Sequence, residues 1–367
     1  MLQQDLLYAL ALLKVEGIGD VTAKKLLQHL GSAEEVFKAK PKELAKIDGI
    51  GPLLSKGLQK NTYLQLAEAE LQFIQQQNIQ VLHYQEALYP ERLKHCFDAP
   101  VLLFTAGNIN LNNRKIISLV GTRKVTSYGA EFCKKLIADL APLNPIIVSG
   151  FAYGVDIIAH QSAMENKLQT IGVLAHGLNQ IYPKVHKKYM AKMEENGGFI
   201  TEFWSTSNPD RENFVRRNRI VAGMSEATVV IESAEKGGSL LTATMANDYN
   251  RDVFAVPGRT TDKYSQGCNE LIKNNKAQTL TNACDLIYHL NWDIKKSTQK
   301  AIQKQLFVSL DGDEQSIYNY LQKQSKAHLD TIAIECGIPV FRLSSILLNM
   351  ELKGVLRPLP GKDFEII

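Results

Sequence analysis

Four arginines and a phenylalanine crowd one short stretch of this chain: Arg211, Phe214, Arg216, Arg217 and Arg219. A β-rich run, 227–231, follows, and Gly237-Gly238-Ser239 then opens a helical pattern. Guanidinium groups and the unpaired backbone N–H groups of a helix start are both anion ligands, so the combination points to phosphate. On a helix, Phe214, Arg217 and Asn218 share one face at i, i+3 and i+4, while Val215, Arg219 and Ala222 lie on another. A flat ring then stands beside a planar cation. Any base can stack on such a ring, for about 1–3 kcal/mol per base, whereas duplex DNA keeps its bases stacked on one another. The cluster therefore favours single-stranded nucleic acid over a duplex or a small phosphate. The competing reading pairs the arginines with Glu202, Glu212 or Glu226 and places Phe214 in the core.

Asp156 and His160, four apart, have the spacing of a general acid/base pair. No nucleophile, metal-ligand set or second catalytic carboxylate accompanies them, and an aspartate in a first helical turn serves equally well to offset the helix dipole. No catalytic residue, cofactor or metal is assigned. The five cysteines are scattered and lack a C-x-x-C spacing, so they read as reduced thiols rather than as a disulfide framework or zinc site. Lys184, Lys187 and Lys188, after Tyr182-Pro183, either extend the basic track or are simply solvated.

These residues need a scaffold, and 367 residues at 45% hydrophobic content suffice for two or three domains. The net charge of +4 is too small to attract nucleic acid by itself, so any footprint must be local. Residues 1–75 read as helical, with two turns of one kind, Gly17-Ile18-Gly19 and Gly49-Ile50-Gly51, each leading towards basic residues (Lys24 and Lys25, then Lys56). They resemble a tandem helix-hairpin-helix (SAM-like) domain, in which turn amides approach a DNA phosphate; tight helix packing explains the glycines equally well. From 78 to 290, apolar runs alternate with amphipathic helices, which predicts an α/β fold: a Rossmann-like, doubly wound, mainly parallel sheet. The expected strands are 116–120, 146–149, 170–174, 198–202, 227–231 and 252–256. In such sheets ligands bind beyond the carboxyl ends of the strands, so the loops at Gly121, Gly150 and Gly237 should line one site. A polar linker is expected at 291–309. Residues 310–367, with helices at 330–338 and 339–353 joined at Gly337 and a hairpin around Pro360-Gly361, resemble a winged helix. Its second helix is too apolar for a groove reader, which favours protein contact. No apolar run approaches the length of a membrane span, and no signal peptide is visible, so a cytoplasmic location is expected.

Several motifs recur in a fixed order: YPERL (89–93), VGTR (120–123), SGFAYGVDIIAH (149–160), IYP (181–183), RNRIVAG (217–223), GGSLLTA (237–243), FAVPG (254–258) and GCNELI (267–272). As a set they resemble the DNA processing protein A (DprA/Smf) family over nearly the whole chain. The resemblance implies a non-enzymatic protein that coats and protects incoming single-stranded DNA during natural transformation and helps to load a RecA-type recombinase. It also implies a homodimer formed through the Rossmann-like domain. The family's DNA pocket maps onto Arg123, Arg211 and Phe214, with Arg217, Asn218 and Arg219 following and Gly150, Gly238 and Ser239 completing the floor. The chain departs from the common pattern at Gly237, Asn179, His186 and Lys276, none of which removes a proposed cation. The rival is a nucleotide-processing enzyme resembling the phosphoribohydrolases. Their P-G-G-x-G-T-x-x-E signature carries a glutamate that the run Lys236 to Thr242 lacks.

Overall fold

The run Ile116-Ile117-Ser118-Leu119-Val120 is apolar at nearly every position, as a strand covered on both faces must be, and all five residues are buried. In the computed structural model, which describes residues 3–58, 62–111, 115–292, 310–359 and 363–366, this run lies inside a nine-stranded sheet. The chain divides into two compact units, 1–293 and 294–367.

The first unit begins with six helices: α1 (Gln3–Lys14), α2 (Asp20–Leu30), α3 (Ala33–Lys38), α4 (Pro41–Leu44), α5 (Pro52–Leu58) and α6 (Thr62–Gln76). Gly17 and Gly49 sit at φ +84° and +86°, where a side chain is strained, and Ile18 and Ile50 are buried beside them. Both Gly-Ile-Gly turns are thus sharp corners over apolar pegs.

The sheet contains β1 (Gln80–His83), β2 (Leu102–Gly107), β3 (Ile116–Val120), β4 (Ile146–Ser149), β5 (Thr170–Val173), β6 (Gly197–Thr201), β7 (Ala227–Val230), β8 (Asp252–Ala255) and β9 (Gln278–Thr279), in the order β1-β2-β6-β5-β4-β3-β7-β8-β9. Strands β3 to β9 pair in parallel, and β2 joins β1 and β6 antiparallel. All six expected strands are present, within one residue at either end. The structure adds β1, β2 and β9, which lie at the flanks of the sheet; β9 has only two residues. Successive crossovers run from β3 through β4 and β5 to β6 on one side, then return to β7 and β8 on the other. The order therefore reverses between β3 and β7, where a doubly wound sheet opens a crevice.

Helices α7 (Glu91–Lys94), α8 (Ser127–Leu140), α9 (Val155–Glu165), α10 (Met190–Glu195), α11 (Arg211–Met224), α12 (Gly238–Asp248), α13 (Gln266–Lys273) and α14 (Ala283–His289) surround the sheet. One face packs Ile117, Leu119 and Ile147 against Cys133, Leu136, Ala159 and Leu286 of α8, α9 and α14. The other packs Ile116, Val120, Ile146 and Val148 with Ile220, Val221, Ala243 and Ala246 of α11 and α12, in a core continuous with the N-terminal helices.

The expected linker lies outside the described residues from 293 onwards. The second unit has α15 (Gly312–Gln324), β10 (Lys326–His328), α16 (Leu329–Cys336), α17 (Val340–Leu352), β11 (Leu356–Leu359) and β12 (Asp363–Ile366), with the sheet order β10-β12-β11. Gly337, at φ +65°, makes the corner between α16 and α17. The outer face of α17 carries Phe341, Leu348 and Leu352, which are 82%, 55% and 79% exposed. Its Arg342 is paired with Asp313, 2.9 Å away, so this helix presents apolar surface rather than free cations.

Candidate functional site

Loops at the carboxyl ends of β3, β4 and β7 meet the starts of α11 and α12 around an open cleft of about 880 Å³. Its lining takes Arg123 from the loop after β3, Gly150 and Asp156 from the turn between β4 and α9, and Arg211, Phe214, Arg217 and Asn218 from α11. Gly238 and Ser239 enter from the first turn of α12. Every expected site residue except Arg219 is gathered here.

The rim is cationic. Arg123 and Arg211 are exposed, and among the described residues neither has a carboxylate within ion-pair distance, although the Arg123 charge acts on Asp156. Asp210 caps α11 by accepting the Asn213 N–H at 2.8 Å, which fixes where the first turn, and with it Arg211, begins. At α12 the N-cap is Gly237, which has no side chain to cap with, and the amides of Gly238 and Ser239 have no acceptor among the described residues. The Ser239 hydroxyl is occupied, donating to Ser233 Oγ at 2.9 Å.

Phe214 is half-buried in the wall, so the core alternative does not hold. The Arg123 guanidinium stands 5.2 Å from its ring centroid and that of Arg217 5.9 Å, both within cation–π range. Tyr182 meets the same ring edge-on, with centroids 5.8 Å apart. The ring is therefore framed by two cations and a second aromatic residue.

The floor is different. Arg217 is only 5% exposed; its Nη1 donates to the Val173 carbonyl and its Nε to Asn218 Oδ1 at 3.3 Å. Asp156 Oδ2 accepts the Ala152 N–H at 3.2 Å. Burial raises the Asp156 carboxyl above its ordinary value, against the opposing charge of Arg217. A Cβ on Gly150 would overlap Asp156 Oδ2 and lie 2.5 Å from Arg217 Nη2, so glycine is required because these two side chains fill that space. His160 is fully buried, bound to the Gly150 carbonyl through Nε2 at 2.5 Å and to Thr170 Oγ1 through Nδ1 at 2.7 Å. Burial pulls its pKa down to about 4. Both ring nitrogens are committed to the scaffold, so His160 and Asp156 do not form a working acid/base pair.

Arg219 requires a correction. Five residues beyond Phe214, it projects from the far side of α11, is 6% exposed, and reaches Glu202 at 2.5 Å and Asp20 at 2.9 Å. Arg216 joins the same carboxylates at 2.6 and 3.2 Å. Helical periodicity places both on a face turned from the cleft, where pairing with Glu202, the competing reading of the sequence, prevails. Asp20, which the sequence did not single out, is the first residue of α2, directly after Gly17-Ile18-Gly19. Its Oδ1 also accepts the Val101 N–H at 2.9 Å. The first hairpin turn is thereby docked onto the sheet domain. Its lysines are engaged as well: Lys24 lies 5.3 Å over Tyr84, and Lys25 bonds the Asp48 carbonyl at 2.5 Å and Oδ2 at 3.0 Å.

A second residue missed in the sequence is Glu232, just beyond β7. Its carboxylate accepts the Thr126 hydroxyl at 2.5 Å and N–H at 2.8 Å, and its carbonyl accepts the Thr122 N–H at 2.7 Å. With the Val155 N–H donating to the Thr122 carbonyl at 3.2 Å, the loop bearing Arg123 is clamped from both sides. A carboxylate at the end of an apolar strand, where a buried charge needs partners, was the available signal. Among the described residues no group of three or more His, Cys, Asp or Glu is placed to hold a metal ion.

Comparison with known proteins gives three family models along the chain: a SAM-like helix-hairpin-helix tandem over 9–54, DNA recombination-mediator protein A over 80–291, and the DprA winged helix domain over 304–362. Protein Smf of Synechocystis sp. is 34% identical over 282 residues, which cover 75% of this chain and 70% of that protein. DNA processing protein DprA of Streptococcus pneumoniae is 37% identical over 199 residues, 54% of this chain and 70% of its own length. The X-ray structure of the Streptococcus pneumoniae DNA processing protein A superposes with a TM-score of 0.65 at 31% identity, covering 77% of this chain and 97% of that one. A structure of DNA processing protein A from Helicobacter pylori, solved to explain its single-stranded DNA binding mode, superposes at 0.53 and 29% identity over 58% of this chain and 95% of that one.

Proposed function

The chain belongs to the DNA recombination-mediator protein A family, and from that premise we propose that it binds single-stranded DNA in the cleft between β3 and β7. The observation that carries this reading is the joint placement of two exposed, unpaired arginines, open helix-start amides and a half-buried aromatic ring around one crevice. Arg123, Arg211 and the Gly238 and Ser239 amides hold phosphates, and Phe214 offers a stacking surface to one base. Arg217 and Asn218 shape the wall behind it. The reading includes a non-enzymatic role: protecting single strands and delivering them to a RecA-type recombinase, as a homodimer through the sheet domain, in the cytoplasm.

The test is a salt titration of affinity for single-stranded against duplex oligonucleotides, run with a mass measurement of the free protein. Single strands should bind more tightly, and Arg123→Ala and Arg211→Ala should each reduce the salt slope by about 0.7, one phosphate contact on a single strand. Phe214→Ala should weaken binding by about 1–3 kcal/mol. Equal affinity for duplex, or unchanged slopes, would remove the cleft from the interface. Release of base or phosphate from nucleotides by the pure protein would favour the rival nucleotide-processing reading.

A further inference from the structure

A buried imidazole, that of His176, sits just beyond β5 between two main-chain groups. Its Nδ1 lies 2.8 Å from the Gly177 carbonyl, and its Nε2 takes the Tyr182 N–H at 3.2 Å. A carbonyl only accepts and a peptide N–H only donates, so the partners fix the ring: the proton sits on Nδ1, and Nε2 offers its lone pair to Tyr182. Such a site holds the neutral imidazole alone. An imidazolium would turn a second N–H towards that of Tyr182 and break the bond. Burial pulls the His176 pKa below its ordinary 6.5, and the positive charge of Arg217 on α11 acts in the same direction. The other groups bonded around it are uncharged: the Thr201 hydroxyl of β6 donates to the His176 carbonyl at 2.9 Å, and the Ser207 carbonyl accepts the Gly177 N–H at 3.1 Å. What the ring holds is the approach to Tyr182. That segment is pinned on its other side by Gln180, whose Nε2 donates to the Ser207 carbonyl at 2.9 Å, and it ends with the Tyr182 ring set edge-on against Phe214.

We propose that His176 is a positioning residue for single-strand binding: neutral, it holds the Tyr182 segment against Phe214, and protonated, it lets that segment go, so that affinity is lost in acid. The inference rests on the reading of the cleft as a single-strand site with Phe214 as its stacking surface. Once the segment is released and the ring meets water, its ordinary pKa of 6.5 returns. The held state is therefore favoured in full above pH 6.5 and is lost as pH falls below it. Uptake of protons elsewhere has the opposite sign, since a protein that gains positive charge attracts a polyanion more strongly.

The experiment is a fluorescence anisotropy titration of the full chain with a labelled oligothymidylate at constant ionic strength, from about pH 8 to about pH 5, where neither thymine nor a phosphodiester titrates. The unaltered protein should lose about two- to twelvefold in affinity across that range, the span for one aromatic pair, and regain it on return to neutral pH. His176→Ala should show the same loss at neutral pH and no further loss in acid. His176→Gln, whose amide oxygen accepts the Tyr182 N–H at any pH, should recover most of the neutral affinity and stay level in acid. In a Tyr182→Ala background, His176→Ala should add nothing. Should His176→Ala fail to fold, the comparison of the unaltered protein with His176→Gln still decides. An affinity that holds or rises in acid, or an acid loss that persists in His176→Gln, overturns the inference and leaves the single-strand reading standing. No binding to the oligothymidylate at any pH overturns both.

Discussion

Replacing Asp20 with alanine should separate the front helices from the sheet domain without touching the cleft. Asp20 holds three partners: the Val101 N–H at 2.9 Å, Arg219 at 2.9 Å and Arg216 at 3.2 Å. Arg216 is half-exposed and contributes at the level of a surface pair, about 0–1 kcal/mol. Arg219 is the larger effect. Its side chain is 8% exposed, and the cluster of two carboxylates and two guanidiniums becomes one carboxylate facing two cations. Breaking a buried pair from one side costs about 3–5 kcal/mol, and the orphaned Val101 N–H belongs to the same loss. A destabilisation near ~4 kcal/mol is expected, read by urea denaturation through the fluorescence of Trp204, which lies beside this junction and under Lys14. Asp20→Ala with Arg219→Met should recover part of it, because the second change removes the stranded charge. A loss under about 1 kcal/mol for Asp20→Ala would show that apolar packing and the Glu202 pair hold the hairpin without Asp20, and would refute the docking role assigned to Asp20.

Two further outcomes concern the floor of the cleft. Gly150→Ala should destabilise the fold by about 1–3 kcal/mol, since the new methyl meets the ends of the buried Asp156 and Arg217 side chains, which must shift to admit it; an unchanged melting temperature would contradict that packing. His160, pulled from 6.5 to about 4, is neutral in the folded protein and takes up its proton more readily when unfolded. The stability it contributes is complete above pH 6.5 and is lost as pH falls towards 4, by about 3 kcal/mol in all. Chemical denaturation at a series of pH values should therefore show a shallower acid limb in His160→Gln; parallel limbs would mean that the imidazole is solvated.

The central strands and the convergence of three glycine turns were legible because buried parallel strands are continuous apolar runs and doubly wound sheets bind at their carboxyl ends. Arg211 and Phe214 were legible as part of a cation-rich stretch interrupted by one aromatic residue, whereas Arg123, far away in sequence, came only with the family resemblance. Arg219 was not, because Asp20 lies far away in sequence, and only the packed tertiary structure shows which face of α11 turns towards Asp20 and Glu202. Asp156 was visible as a helix-start aspartate, but its place at the bottom of a cationic cleft depends on Arg217 arriving from a helix more than fifty residues further on. Local pattern reveals what an element is made of; the pairing of buried charges across elements is decided by packing.

The clamp on the segment between β3 and α8 bears on speed. With Thr122 tied to Glu232 and Val155, and Thr126 to Glu232 again, the main chain under Arg123 is already in its working position before any ligand arrives. Capture then calls only for rotamer changes of exposed side chains, which relax in picoseconds to nanoseconds, and little ordering entropy remains to be lost. Encounter should follow simple second-order kinetics, quickened at low ionic strength by the cationic lip and free of a slow conformational phase.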